Sequence, residues 1–175
     1  MYPTVSFLDP SYTISVNADY TAFGIADLVA HALEAYFGKG DASLSDRFVF
    51  SIIKEAMEYG PQLMEKLDDY DLRARIMYAA TMALNGVTVW GRESGDWGVH
   101  SLGHNLSALF DTPHGVTLSI VYPAWLRYLK DKMPDRIVKL GKNVFGTTGS
   151  TVHGGARGTR SRQRHRNGFL ECNPA

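Results

Sequence analysis

Residues 22–37 read AFGIADLVAHALEAYF. Ile25, Leu28, Val29, Ala32 and Tyr36 recur at intervals that line one face of an α-helix. Gly38-Lys39-Gly40 then stops the run. Side chains four apart share a helical face, so Asp27 and His31 sit together one turn apart. The stretch therefore predicts an amphipathic helix that carries a carboxylate-imidazole pair.

The rest of the chain follows the same period. A second helix is expected after Ser43 or Ser45, either of which could cap it. Leu44, Phe48, Ile52 and Ala56, with Val49, Ile53 and Met57, give it a broad apolar face, and Gly60-Pro61 is expected to break or kink it. Residues 71–84, DLRARIMYAATMAL, are apolar on nearly every side after Arg75, which predicts a helix buried inside a bundle. Residues 91–98 (GRESGDWG) read as a loop. A helix over 99–110 comes next, then the turn Asp111-Thr112-Pro113. A helix from about Gly115 to Lys132 follows, bent by Pro123, and a last one covers 133–144. Ahead of all these, residues 2–12 alternate loosely around Pro3 and Pro10 and suit an extended lead-in or edge strand. Repeats are absent and strand alternation is scarce. The fold class is mainly α, a helical bundle.

Composition narrows the function. The 175 residues are 45% hydrophobic and 21% charged, which suits a folded globular chain. Lys+Arg and Asp+Glu are both 18, so the basic excess of a nucleic-acid binder is missing. Cys172 is the sole cysteine, which excludes an internal disulfide and a Cys-rich zinc module. No apolar run approaches the ~18 residues that a membrane span needs, and Met1-Tyr2-Pro3-Thr4 shows no signal peptide. A cytoplasmic protein that uses neither membrane nor nucleic acid is expected.

The balanced charge conceals two unequal parts. Residues 151–175 hold Arg157, Arg160, Arg162, Arg164 and Arg166 against Glu171 alone, a net +4, so the first 150 residues carry −4. The tail is rich in Gly and Arg and lacks apolar periodicity. It reads as a basic arm, an unstructured extension, or the product of a reading frame lost near Gly149. The expected division is a helical domain over residues 1–148 and a basic tail over 149–175.

Four histidines in the helical body carry the chemistry: His31, His100, His104 and His114. Asp27/His31 and His100/His104 are both i,i+4 pairs. His114 lies in a Pro-His-Gly corner at a helix start, within reach of a neighbouring helix face. One carboxylate and three imidazoles would suit zinc or ferrous iron and leave room for a substrate oxygen. Such an open site can act as a Lewis acid that lowers the pKa of a bound alcohol, and the alkoxide so formed is a better hydride donor. Each feature also has a plain reading, a local hydrogen bond or a surface histidine. Spacing alone leaves open which of His100 and His104 is a ligand. Asp96 and Trp97 could line the site but read more simply as loop residues, and Trp90, Trp97 and Phe110 read as core aromatics that could instead line an apolar pocket.

Three strings carry a resemblance: FLDPSYT (7–13), GIADLVAHALEAYF (24–37) and GDWGVHSLGHNLSALFDTPHGVTLSIVYPAWL (95–126). Over about residues 3–145 the chain resembles the C-terminal helical domain of the iron-containing (group III) alcohol dehydrogenases, butanol dehydrogenase type. The resemblance implies Asp27, His31, His100 and His114 as ligands to Fe²⁺ or Zn²⁺. It implies His104 beside the nicotinamide and substrate, as a proton relay. The implied reaction is hydride transfer between a small primary alcohol or its aldehyde and NAD(P)H, and a homodimer is allowed. No Gly-rich nucleotide loop of that family precedes these strings, and no G-x-G-x-x-G occurs. The chain is thus expected to be a fragment lacking the nucleotide-binding domain and inactive alone. The alternative is a non-catalytic helical module that binds a divalent metal. A metal-dependent hydrolase has little support, since neither H-E-x-x-H nor a His-Asp dipeptide occurs.

Overall fold

A computed structural model describes residues 4–148; the basic tail lies outside the described residues. Six α-helices follow a short 3-10 turn at Pro10–Thr13. They are α1 (Ala18–Phe37), α2 (Ser43–Glu65), α3 (Tyr70–Leu84), α4 (Gly98–Phe110), α5 (His114–Lys132) and α6 (Pro134–Phe145). No strand occurs among the described residues, and none of their helices is long and apolar enough to cross a membrane.

Of the two readings of the start, an extended lead-in or an edge strand, the strand does not occur among the described residues. Pro10, fixed near helical φ, opens the 3-10 turn, and the Asp9 carboxylate caps it by accepting the Ser11 N–H at 2.9 Å. Val5 and Phe7 stand exposed, with no neighbouring strand for the segment to pair with.

Helix α1 is the axis of the bundle and contacts α2, α3, α4 and α5. It begins four residues before the apolar run because Asn17 caps it, accepting the Tyr20 N–H at 3.0 Å. Its C-terminal half, Ala32 to Phe37, is buried on all sides. Leu28, Tyr36, Val49, Val99 and Leu118 are among the most buried core side chains, so α1, α2, α4 and α5 share one core.

Helix α2 departs from expectation at both ends. Neither serine caps it: Ala42 holds the N-cap position, and the Ser45 hydroxyl instead donates to the carbonyls of Trp90 (2.6 Å) and Val87 (3.2 Å). Gly60-Pro61 does not end it either, and the helix runs on to Glu65. Gly60 is buried where a Cβ would touch the Ile25 side chain of α1, so helix contact, not chain termination, explains the glycine.

Helix α3 is not buried all round. Tyr78 and Leu84 are exposed, while Leu72, Arg73, Ala79 and Ala83 face inward, so it lies on the outside of the bundle. The buried Arg73 guanidinium donates to the Leu67 and Val16 carbonyls at 2.7 and 2.8 Å and to the Thr21 hydroxyl at 2.9 Å. One side chain thereby ties the lead-in, α1 and the α2–α3 turn together.

A second polar knot fastens the far end. Asp46 of α2 is wholly buried and accepts from Arg92, Arg136 and Lys139. Arg136 also lies over the Tyr36 ring, 3.8 Å from its centre, and the Tyr36 hydroxyl donates to the Arg136 carbonyl at 2.7 Å. These contacts lock the loop before α4, and α6, onto α1 and α2.

Candidate metal centre

Three helices deliver the candidate residues to one place. Asp27 and His31 lie on α1, His100 in the first turn of α4, and His114 at the start of α5. The chain turns into α5 through Asp111, which adopts left-handed φ of 50°, and Pro113. Gly115 then brings α5 against α1: a Cβ there would collide with the Phe23 backbone.

Three imidazole nitrogens surround one carboxylate oxygen. Asp27 Oδ1 lies 3.3 Å from His31 Nε2, 3.3 Å from His100 Nε2 and 3.6 Å from His114 Nε2. The Asp27, His31 and His100 ligand atoms all lie within 4.8 Å of one another. His114 stands outside that tight group; it reaches the cluster through Asp27 and is more exposed. His104 sits at the mouth, its ring stacked on His114 at 4.9 Å between centres and 5.9 Å from His100.

The spacing fits ligands around a shared cation better than a hydrogen-bonded cluster. Asp27 Oδ1 and His100 Nε2 are buried, yet neither has an aligned hydrogen-bond partner. Tetrahedral ligands about 2.1 Å from an ion sit about 3.4 Å apart. The contacts to Asp27 have that separation, and the imidazole-carboxylate donor set suits zinc or ferrous iron.

The electrostatics are uneven. Burial pushes the Asp27 carboxyl up, but contact with His100 and the charges of His31 and His114 outweigh it and hold the group below its ordinary value. Burial leads in lowering His31 and His114, against the pull of Asp27. His100 differs: burial opposes its charge, yet Asp27 and Glu34 on either side raise it to about 9.

Glu34 escaped the sequence reading. It is fully buried, contacts His100 Nδ1 through Oε2, and accepts the His100 backbone N–H through Oε1 at 3.0 Å. The available signal was an acid inside the apolar run AHALEAYF, one turn beyond His31. Trp97 was also underrated: its ring stands edge-on to His31 and His100, at 6.0 and 5.8 Å between centres. A cleft of about 460 Å³ opens beside Trp97 and His31. Trp90 and Phe110 are exposed, so neither is core. Asp96 is a loop residue, as expected, and its carboxylate accepts the Trp125 indole N–H at 2.6 Å.

Comparison with known proteins identifies the family. The chain is 40% identical over 148 residues to NADH-dependent butanol dehydrogenase B of Clostridium acetobutylicum, covering 83% of this chain and 38% of that protein. It is 36% identical over 147 residues to the NADPH-dependent aldehyde reductase YqhD of Escherichia coli, again covering 83% of this chain and 38% of the relative. The crystal structure of NADH-dependent butanol dehydrogenase A from Thermotoga maritima superposes with a TM-score of 0.82 at 38% identity, over 86% of this chain and 38% of that one. The chain thus spans well under half the length of these relatives. The model for the C-terminal region of the Fe-containing alcohol dehydrogenase family matches residues 21–162, and the chain belongs to that family.

Proposed function

We propose that this chain is the metal-holding part of an NAD(P)-dependent alcohol dehydrogenase or aldehyde reductase acting on small primary alcohols and their aldehydes. The observation that carries the reading is the convergence of three imidazole Nε2 atoms on Asp27 Oδ1, with that oxygen and His100 Nε2 buried and unpartnered. Asp27, His31, His100 and His114 form the ligand set, for iron or zinc. A divalent ion held there supplies Lewis acidity toward a hydroxyl or carbonyl oxygen, and a nicotinamide accepts or returns the hydride.

The chain's own residues do the rest. His31 and His114, both biased toward the neutral form, are ready to offer lone pairs. His104, beside His114 at the exposed mouth, is placed to pass a proton between the reacting oxygen and water. Trp97 packs its ring edge-on against His31 and His100 beside the cleft. On this reading residues 1–148 form the metal-holding domain and 149–175 a separate tail, although the family match runs on to residue 162.

A chimera tests the activity. Residues 4–145 of this chain replace the matching segment of the Clostridium butanol dehydrogenase B. The chimera should oxidise NADH in the presence of butanal, and D27N in the same chimera should not. A folded, metal-loaded chimera without turnover would reject the dehydrogenase reading.

A further inference from the structure

Glu34 presents an electrostatic problem that the ligand set alone does not solve. It is a carboxylate at zero exposure. Among the described residues no lysine or arginine pairs with it, and both its oxygens are directed to His100. A buried carboxylate without a counter-charge is costly, so its compensation must come through that imidazole.

The hydrogen-bond chemistry fixes the direction. An ionised carboxylate only accepts, so the proton on the Glu34 side belongs to His100 Nδ1. A neutral His100 then turns the Nε2 lone pair toward Asp27 Oδ1, 3.3 Å away. Two acceptors facing each other in a buried site repel unless positive charge lies between them. The backbone bond adds a second constraint. The residue before α4, Trp97, gives the helix no side-chain cap, and Glu34 satisfies the free N–H of its third residue from a different helix. One side chain thus holds both the start of α4 and the His100 ring against α1.

We infer that Glu34 is the positioning residue of the metal centre: it holds His100 in the Nδ1–H form with Nε2 aimed at the ion, and with Asp27 it balances the two charges of a divalent cation. The inference rests on the metal-holding reading above and extends it to a residue that does not touch the ion. Outer-shell carboxylates of this kind change metal affinity by about 10–100-fold.

The test uses the 175-residue chain with zinc, and two measurements. Calorimetric titration should give one Zn²⁺ per chain for the parent protein. E34Q, which keeps the shape and loses the charge, should bind about 10–100-fold more weakly with unchanged far-ultraviolet circular dichroism. A parent chain that binds no Zn²⁺ sinks the metal reading itself. A parent that binds beside an E34Q that binds equally well sinks the role of Glu34 alone. If E34Q does not fold, nitrogen-15 NMR of the zinc-loaded parent decides. His100 should show Zn²⁺ on Nε2 and a hydrogen-bonded proton on Nδ1; zinc on Nδ1, or no Nδ1 proton, overturns the inference.

Discussion

Gly115 of α5 lies against the backbone of Phe23 on α1 so closely that a side chain at residue 115 has no room. The contact sits beside His114 and four residues before Asp27, so it sets the distance between them. G115A should push the start of α5 away from α1 and carry His114 off Asp27. Overpacking against backbone costs about 1–3 kcal/mol. The expected result is a lower unfolding midpoint together with weaker Zn²⁺ binding. Lower stability with unchanged metal affinity would show that His114 is not a ligand.

Asp27 is the hub of the cluster, its Oδ1 within 3.6 Å of all three Nε2 atoms. D27N keeps the volume and removes the charge. Zn²⁺ or Fe²⁺ affinity should fall by at least ~100-fold, since outer-shell changes alone reach that range. H104A should leave affinity nearly unchanged, because His104, unlike His114, makes no close contact with Asp27 and touches the cluster only through ring contacts with His100 and His114. Titration calorimetry on the two variants separates the ligand set from the residue at the mouth.

The candidate site was legible in the sequence where its members are neighbours on one helix. Asp27 and His31 announce themselves by their i,i+4 spacing, and α1, α4 and α5 by apolar periodicity. What stayed hidden depends on partners far along the chain. Glu34 meets His100 66 residues away, and Asp46 meets Arg92, Arg136 and Lys139 at separations of 46, 90 and 93. Local patterning treats such acids as polar interruptions of an apolar run. The choice between His100 and His104 was ambiguous for a related reason: two residues one turn apart share a face, and only the helix packed opposite distinguishes them. That α2 runs through Gly60-Pro61 without a break was hidden for the same reason, since Gly60 packs against Ile25 of α1, a partner far along the chain.

The metal-free protein should lose stability as pH rises toward 9. His100 is raised from 6.5 to about 9 by Asp27 and Glu34 against the cost of burial. A raised basic group stabilises fully below its unfolded value and loses that contribution as pH climbs through its folded value. Between about pH 6.5 and 9 the slope from this group approaches ~1.4 kcal/mol per pH unit. Below pH 6.5, His31 and His114, both lowered chiefly by burial, act in the opposite sense and destabilise as they are forced to protonate. Stability of the metal-free chain should therefore peak near pH 6.5. Bound zinc needs neutral His100, so its affinity should rise over the same interval. Urea unfolding at several pH values, with and without Zn²⁺, checks both signs. A metal-free protein that grows more stable from pH 7 to 9 would contradict the assignment of His100.

The Asp46 knot predicts an asymmetry among its members. Asp46 and the Arg92 side chain are fully buried, whereas Arg136 is 17% and Lys139 40% exposed. Removing one partner of a buried pair strands the other without water, at a cost of about 3–5 kcal/mol. D46N should therefore lower the urea midpoint strongly, because Arg92 cannot reach solvent. K139A should cost under ~1 kcal/mol, since the lysine ammonium pairs at the surface and two guanidinium groups still serve the carboxylate. The double variant D46L/R92M replaces the buried pair with apolar side chains of similar size and should recover part of the loss, as buried pairs exchanged whole often do. A K139A loss as large as that of D46N would mean that the carboxylate depends on the exposed cation, and that burial of Arg92 is not what holds α2 to the loop before α4.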